Sequence, residues 1–197
     1  MSSKSDRELA EAAREGNPDA FGVLVRRHER RVFRLAIHLL RNAAEAEDVT
    51  QETFVRAYRA LDRFDGRSEP FTWLYRIAVN LSLNAIRSRK TARRGTSWDD
   101  PRIEGMLSER KKDYTDPAQE VADRQLGMAL CEGIDGLTET LRTTVVLVGV
   151  EGLSHTEAAE VLGCPEGTVA WRIHEARKKL RAYLEQRGYA PEPGESL

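Results

Sequence analysis

The sequence is poor in cysteine: its 197 residues include only Cys131 and Cys164, which lie far apart and show no pairing pattern. Secreted domains stabilised by disulfides are dense in cysteine, so we expect a reduced, cytoplasmic compartment. No apolar run approaches the length of a membrane span, and the first residues are polar and acidic. We therefore expect neither membrane insertion nor a signal peptide.

Side-chain constellations typical of enzymes are also missing. The four histidines, His28, His38, His155 and His174, fall in different predicted helices without the spacing of metal ligands. There is no Ser/His/Asp arrangement, no glycine-rich phosphate loop and no zinc cysteine pattern. The sequence therefore predicts a protein that is not an enzyme, with no catalytic residues, no metal and no cofactor.

Excess charge of either sign is absent as well. The 31 Lys and Arg residues against 32 Asp and Glu give a net charge of −1, whereas a nucleic-acid binder is usually basic. The two signs are nevertheless segregated along the chain. Residues Arg87 to Arg94 hold five basic side chains and no acid, while acid collects between Glu45 and Glu52. Such segregation indicates two kinds of partner.

Apolar residues recur at helical spacing through most of the chain, and no segment is rich in strands, which predicts an all-α fold. A helix is expected from Asp6 to Gly16, a second capped by Asp19, a third starting at the capping pair Asn42 and Glu45, and a fourth from about Phe71 to Arg89. The second helix carries an outer face of arginines with no firm explanation from the sequence: Arg26, Arg27, Arg30, Arg31 and Arg34.

The second half of the chain is expected to be helical too. Asp116 is the predicted cap of a fifth helix, and Thr138 of a sixth. The β-branched run from Thr143 to Val148 lowers helix propensity and leaves a buried strand as the alternative. We expect two small helical domains, at residues 1–90 and 116–187. A flexible linker at 91–115 joins them, and a disordered tail follows at 188–197.

The stretch from Leu153 to Leu180 has the pattern of a helix-turn-helix. Ser154 and Glu157 form a capping box, Gly163 ends the first helix, and Pro165 stands at the start of the second. The apolar face of that second helix is Val169, Ile173, Ala176 and Leu180, and its outer face is Thr168, Trp171, Arg172, Glu175, Arg177, Lys178 and Lys179. Such a helix suits a DNA major groove. A helical hairpin with a solvated charged face is the alternative.

The fourth helix carries an unusual outer stripe, which we call the Trp73–Arg87 ridge: Trp73, Arg76, Asn80, Asn84 and Arg87. Aromatic, amide and guanidinium groups stack on unpaired bases and bond to their edges. Phe64 and Phe71 flank the ridge in the preceding loop, and Tyr75 lies beside it. The alternative is that Trp73 packs on another helix while the amides are solvated.

The third helix presents four polar residues on one side: Asp48, Gln51, Glu52 and Arg56. An acidic helix face is usually only exposed to solvent. It is equally suited to dock on a basic protein surface.

These motifs together resemble bacterial RNA polymerase sigma factors of the extracytoplasmic-function group in the sigma-70 family. The resemblance lies in Asp48-Val-Thr-Gln-Glu-Thr-Phe-Val-Arg-Ala, in Phe71-Thr-Trp-Leu-Tyr-Arg-Ile-Ala-Val-Asn80, and in Gly167-Thr-Val with Arg172 and Ala176-Arg-Lys-Lys-Leu180. It implies a region 2 helical bundle and a region 4 helix-turn-helix, which bind core RNA polymerase and promoter DNA. An anti-sigma factor is a further expectation from the family.

The resemblance also implies roles for individual residues. Polymerase binding, through the beta-prime clamp helices and the beta flap, is expected of Asp48, Gln51, Glu52 and Arg56. Contact with the minus-ten element is expected of Phe64, Arg67, Trp73, Arg76, Asn80, Asn84 and Arg87. Contact with the minus-thirty-five element is expected of Ser154, Thr168, Trp171, Arg172, Glu175, Arg177 and Lys178. The chain departs from the family pattern at Ala170, Trp171 and Glu175, so the usual minus-thirty-five sequence is not expected.

A stand-alone helix-turn-helix regulator is the alternative function, with the N-terminal bundle forming a dimer or sensing a ligand. It predicts a dimer on a palindromic site. The near-zero net charge favours a sigma factor, because polymerase would then supply much of the affinity for DNA.

Overall fold

The computed structural model describes residues 4–92 and 117–189, and every regular element within these ranges is helical. The described helices belong to two compact units. Among the described helices, none is long and apolar enough to cross a membrane. The predicted linker beyond Ala92, the Asp116 cap and the tail from residue 190 onward lie outside the described residues.

The first unit contains α1 (Asp6–Arg14), α2 (Pro18–Leu40), α3 (Ala43–Arg59), a 3₁₀ turn (Leu61–Arg63) and α4 (Pro70–Ala92). The helices begin close to where the sequence predicts them.

The cap of α2 was misassigned from the sequence. The Asn17 side chain, not that of Asp19, accepts bonds from the backbone N–H groups of Asp19 (3.1 Å) and Ala20 (3.3 Å). Pro18 then occupies the first helical position, where a missing N–H costs nothing. The Asn42 cap of α3 is confirmed, since its side chain accepts from the N–H of Glu45 at 3.0 Å.

Helix α2 supplies much of the core of the first unit, and Val32, Leu35 and Ala36 on it are completely buried. His38 on the same helix is also buried. Burial, together with the nearby charges of Arg41 and Arg34, lowers the pKa of His38 to about 4. This histidine is therefore a neutral core residue at physiological pH.

The buried stripe of α4 is rotated from the predicted one. Leu74 and Ala78 are buried as expected, but Ile77, Leu81 and Ala85 are only half-buried. Their expected places are taken by Tyr75, Val79, Ser82 and Ile86. Tyr75, expected beside the ridge, is 1% exposed, with its ring edge-on to Phe71 at 6.1 Å. The buried side of α4 thus includes Tyr75, which packs on Phe71 one turn earlier on the same helix.

The arginine-rich face of α2 has structural partners. Arg27 and His28 each bond to a carboxylate oxygen of Asp6 at 2.7 Å, which fastens α1 to α2. Burial raises the pKa of Asp6, but the bonds from Arg27 and His28 outweigh it, and the pKa lies below its usual value. The Arg31 guanidinium stacks over the rings of Phe71 and Tyr75 at 5.4 and 5.7 Å. Part of this basic charge therefore assembles the bundle.

The second unit contains α5 (Pro117–Asp135), α6 (Glu139–Val145), a π turn (Val146–Val150) and α8 (Glu166–Gln186). Helix α7 (His155–Leu162), between the π turn and α8, is divided between the two units. Its core is formed by α5, the loop after it, α6 and α8: Ile134, Leu137, Leu141, Ala176 and Leu180.

The β-branched run forms helix rather than the alternative strand. The hydroxyls of Thr143 and Thr144 donate to the carbonyls of Glu139 and Thr140, at 2.7 and 2.8 Å, so their polar atoms are satisfied in the helix. The π turn that follows was not predicted from the sequence. Thr138 occupies the cap position of α6 without a side-chain capping bond.

Gly133 lies where α5 packs closely on α8. A Cβ atom there would lie 2.9 Å from Cδ1 of Tyr183 and 3.1 Å from Cδ2 of Leu180. We expect Gly133→Val to lower the free energy of unfolding by about 1–3 kcal/mol, because overpacking forces the two helices apart. Chemical denaturation of the full chain measures this.

Gly127→Ala on the same helix is the matched control, since nothing lies within 4 Å of its Cβ position. It should raise stability by about 0.5–1 kcal/mol through helix propensity. A Gly133→Val variant as stable as the parent would refute this packing.

Candidate nucleic-acid interface

The helix-turn-helix is held by bonds that the sequence predicts. The backbone N–H and hydroxyl of Ser154 donate to the Glu157 carboxylate at 2.8 and 2.7 Å, and the Glu157 N–H donates to the Ser154 hydroxyl at 3.2 Å. Gly163 ends α7 with a φ of 63°, in the left-handed region. The Thr156 hydroxyl then donates to the carboxylate of Glu166 in the first turn of α8 (3.0 Å). This last bond joins the two helices directly.

The outer face of α8 is partly exposed. The predicted apolar face is confirmed, as Val169, Ile173, Ala176 and Leu180 are all buried. On the opposite side Trp171 is 62% exposed, an unusual value for a large apolar side chain. Arg177 and Lys178 are exposed as well, while Thr168, Arg172 and Glu175 are half-buried.

Besides Ser154, two predicted minus-thirty-five residues on α8 have intramolecular partners. The Arg172 guanidinium lies 3.7 Å from the sulfur of Cys164 in the turn, and a Glu175 oxygen lies 3.7 Å from the Lys179 ammonium. His174 is exposed on the same side of α8, three residues after Trp171. It was missed from the sequence, although its position outside the apolar face was the available signal.

The Trp73–Arg87 ridge is a continuous exposed surface. Arg76, Asn80, Asn84 and Arg87 are exposed along α4, and Trp73 is half-buried at its start. The Trp73 ring rests on Phe64, with centroids 4.9 Å apart and planes at 41°. The amides of Asn80 and Asn84 are thus accessible to a ligand, and the Phe64 ring supports the Trp73 indole.

Phe64 itself lies beneath the ridge, since it is only 7% exposed. Its ring supports Trp73 instead of presenting a free face for a base. The loop after it turns at Asp65, whose carboxylate accepts from the Arg67 N–H at 3.0 Å, and at Gly66, with φ of 71°. The Arg67 side chain is 90% exposed and lies 3.3 Å from Asp65. This loop therefore presents one extended guanidinium next to the ridge.

A separate exposed face lies on α3. Asp48, Gln51 and Arg56 are exposed, and half-buried Glu52 pairs with Arg56 at 2.7 Å. Val55 on the same side is 42% exposed and was missed from the sequence. An apolar side chain among charged ones is common at protein interfaces, and its outward helical position was the available signal.

The acid of α3 is not all available for docking. Glu45 is engaged within the unit, where it bonds to Arg89 of α4 at 2.6 Å. The same guanidinium donates to the carbonyl of Leu40 at 3.1 Å. In residues 4–92 and 117–189 no cluster of three or more His, Cys, Asp or Glu side chains is placed to hold a metal ion.

Comparison with known proteins matches both units. The profile of Sigma-70 region 2 matches residues 24–92, and that of Sigma-70, region 4 matches residues 128–180. RNA polymerase sigma-H factor of Pseudomonas aeruginosa is 35% identical over 94% of this chain and 96% of its own. ECF RNA polymerase sigma factor SigW of Bacillus subtilis is 36% identical over 87% of this chain and 92% of its own.

Among solved structures, CnrH in complex with the cytosolic domain of CnrY is similar with a TM-score of 0.68 and 32% identity. The match covers 93% of this chain and 99% of CnrH. The match therefore covers most of each unit.

Proposed function

This chain belongs to the extracytoplasmic-function group of sigma factors in the sigma-70 family, and we propose roles for its exposed surfaces on that basis. As such a factor it is a non-catalytic polymerase subunit that directs promoter-specific transcription initiation. Residues 1–90 bind core polymerase and the minus-ten element, and residues 116–187 bind the minus-thirty-five element. Residues 91–115 connect them. The stand-alone regulator is not retained, since relatives with the sigma-factor function match almost the full chain.

The polymerase-binding surface is the outer face of α3. Its supports are the exposure of Asp48 and Gln51, the Glu52–Arg56 pair and the apolar Val55 between them. Acidic and apolar groups on one rigid helix suit a basic partner surface, which we take to be the beta-prime clamp helices. The second unit docks on the beta flap.

The minus-ten surface is the Trp73–Arg87 ridge together with Arg67 on the preceding loop. The observation that carries this proposal is the exposure of Arg76, Asn80, Asn84 and Arg87 beside a Trp73 ring supported by Phe64. A base taken out of the duplex costs a few kcal/mol, so stacking and amide bonds must offset that cost. Phe64 acts as the support of Trp73 and contacts no base itself.

The minus-thirty-five surface is the outer face of α8 together with Ser154 before α7. The α8 residues that face the groove or its phosphates are Thr168, Trp171, Arg172, Glu175, Arg177 and Lys178. The Ser154 hydroxyl is already engaged with Glu157 in the cap. Ser154 therefore contributes to DNA binding indirectly, because it holds the start of α7 in position at the phosphate backbone.

We expect Glu175 to select a cytosine, because a carboxylate accepts from the cytosine N4 amine in the major groove. Glu175→Gln should reduce the preference for cytosine at one minus-thirty-five position by about 5- to 100-fold, because about 1–3 kcal/mol of discrimination is lost. Selection from a library randomised in this element, with reconstituted holoenzyme, measures the change. Arg181→Gln, farther along α8, is the control, and an unchanged preference in Glu175→Gln would refute the assignment.

Transcription from a promoter library with core RNA polymerase tests the proposed function as a whole. The isolated chain should bind promoter duplex poorly, and addition of core polymerase should give specific initiation. Nanomolar binding of duplex by the chain alone, without any effect on core polymerase, would contradict the proposal.

A protein antagonist belongs to the same proposal. CnrH is 32% identical and was solved in complex with the cytosolic domain of CnrY. We therefore propose that an anti-sigma factor binds this chain and competes with core polymerase. Its addition to the transcription assay should lower initiation in proportion to its concentration.

A further inference from the structure

Helix α1 lies outside the segments matched by the two family profiles, yet its side chains reach both ends of the loop from Phe64 to Glu69. We propose that α1 is a brace that holds this loop, and with it the Trp73 ring, in the conformation that receives the minus-ten strand. Arg7 and Arg14 are its positioning residues. This inference rests on the proposed function of the ridge.

The first end of the loop is held by Arg14. Its guanidinium donates to the backbone carbonyl of Phe64 at 3.3 Å, in a partly buried place. The ring of Phe64 in turn supports Trp73, with centroids 4.9 Å apart. A shift of the Phe64 backbone would therefore remove the support from one face of the indole.

The second end of the loop is held by Arg7. Its Nε donates to the Glu69 carboxylate at 2.9 Å, and its Nη2 lies 2.8 Å from the same oxygen. The backbone carbonyl of Glu69 accepts from the N–H of Trp73 at 3.1 Å. Both contacts of α1 thus converge on Trp73, one on its ring and one on its backbone.

The brace is itself fixed to a rigid element. Asp6 at the start of α1 bonds to Arg27 and to buried His28 on α2, both at 2.7 Å, and Arg27 donates to the carbonyl of Lys4 at 2.8 Å. Arg7 and Arg14 are seven residues apart, which places them on one side of α1 about 10 Å from each other. That separation suits a helix that spans both ends of a short loop.

The Arg7–Glu69 pair is too exposed to account for the stability of the bundle. The side chains of Arg7 and Glu69 are 53% and 51% exposed, and exposed pairs of this kind contribute little to folding. Their effect is expected on the conformation of the loop, and so on the step that uses the loop.

Promoter melting by reconstituted holoenzyme tests the brace, with the full chain, core RNA polymerase and a duplex promoter carrying 2-aminopurine in the minus-ten element. Arg14→Ala should slow the fluorescence change by about tenfold, while core binding and the melting temperature of the free chain stay at parent values. Arg26→Ala, an exposed arginine on α2, is the matched control and should melt the promoter at the parent rate.

A charge exchange tests the other end of the loop. Arg7→Glu should slow promoter melting several-fold while the thermal stability of the free chain stays at the parent value, a combination that a merely structural role would not produce. Glu69→Arg in the same chain should restore the rate, because it re-forms the ion pair with the charges exchanged. If Arg14→Ala does not fold, the charge exchange between Arg7 and Glu69 tests the brace by itself. Normal melting by Arg14→Ala and Arg7→Glu, with slow melting by Asn80→Ala, would overturn the brace but leave the ridge standing. Normal melting by all three would overturn both.

Discussion

Asp48→Lys is expected to weaken binding of the chain to core RNA polymerase by about 2–4 kcal/mol, or roughly 30- to 1,000-fold. Asp48 is exposed at the first turns of α3, next to Gln51 and Glu52 in the proposed docking face. A lysine there replaces attraction by repulsion against a basic surface and leaves a charge that the interface must desolvate. Titration of labelled core polymerase with the variant gives the dissociation constant.

Glu29→Lys is the matched control, because it makes the same change of charge at an exposed position on α2 of the same unit. It should bind core polymerase within about twofold of the parent, as remote surface charges are largely screened. Equal binding by Asp48→Lys and Glu29→Lys would show that α3 is not the docking face. The two melting temperatures would confirm that both variants are folded.

Asn80→Ala is expected to slow promoter melting by about 10- to 100-fold while core binding stays unchanged. Asn80 is exposed in the middle of the Trp73–Arg87 ridge, one turn from Arg76 and from Asn84. Loss of its bonds to a separated base should cost about 1–3 kcal/mol, the size of one good side-chain contact to a base edge or a base face. The 2-aminopurine assay follows the step directly.

The substitution cannot act by unfolding α4, because alanine is a better helix former than asparagine. Gln125→Ala, which removes an exposed amide from α5 of the second unit, is the control and should leave melting unchanged. Asn80→Asp adds a second comparison, since it keeps the shape but replaces the amide donor by a negatively charged acceptor, and it should slow melting at least as much as Asn80→Ala. A parent rate for Asn80→Ala would remove Asn80 from the minus-ten surface.

The elements predicted well are those whose signals are local. The capping box of Ser154 and Glu157, the positive φ of Gly163 and the helical spacing of the α8 core depend on neighbouring residues, and the structure has them as expected. The exposure of the ridge amides follows from helical spacing as well, because steps of three and four keep side chains on one face.

The features that sequence analysis missed depend on contacts between distant residues. Phe64 and Trp73 are both aromatic residues of one motif, but only the packing shows that the first supports the second. Tyr75 packs on Phe71 of the same helix and lies under the Arg31 guanidinium of α2. Helical spacing places Phe71 next to Tyr75, but it does not encode the position of Arg31, so the predicted stripe was rotated.

The sequence by itself thus determined the all-α class, the helix-turn-helix, the family and the ridge, because helical periodicity and capping are properties of residues a few positions apart. Only the tertiary structure decided which arginines of α2 are structural and that α1 reaches both ends of the loop before the ridge. Those bonds join Asp6 to Arg27 and His28, and Arg14 to Phe64, across long stretches of chain. A pairing of this kind is set by how the helices pack, which local spacing does not encode.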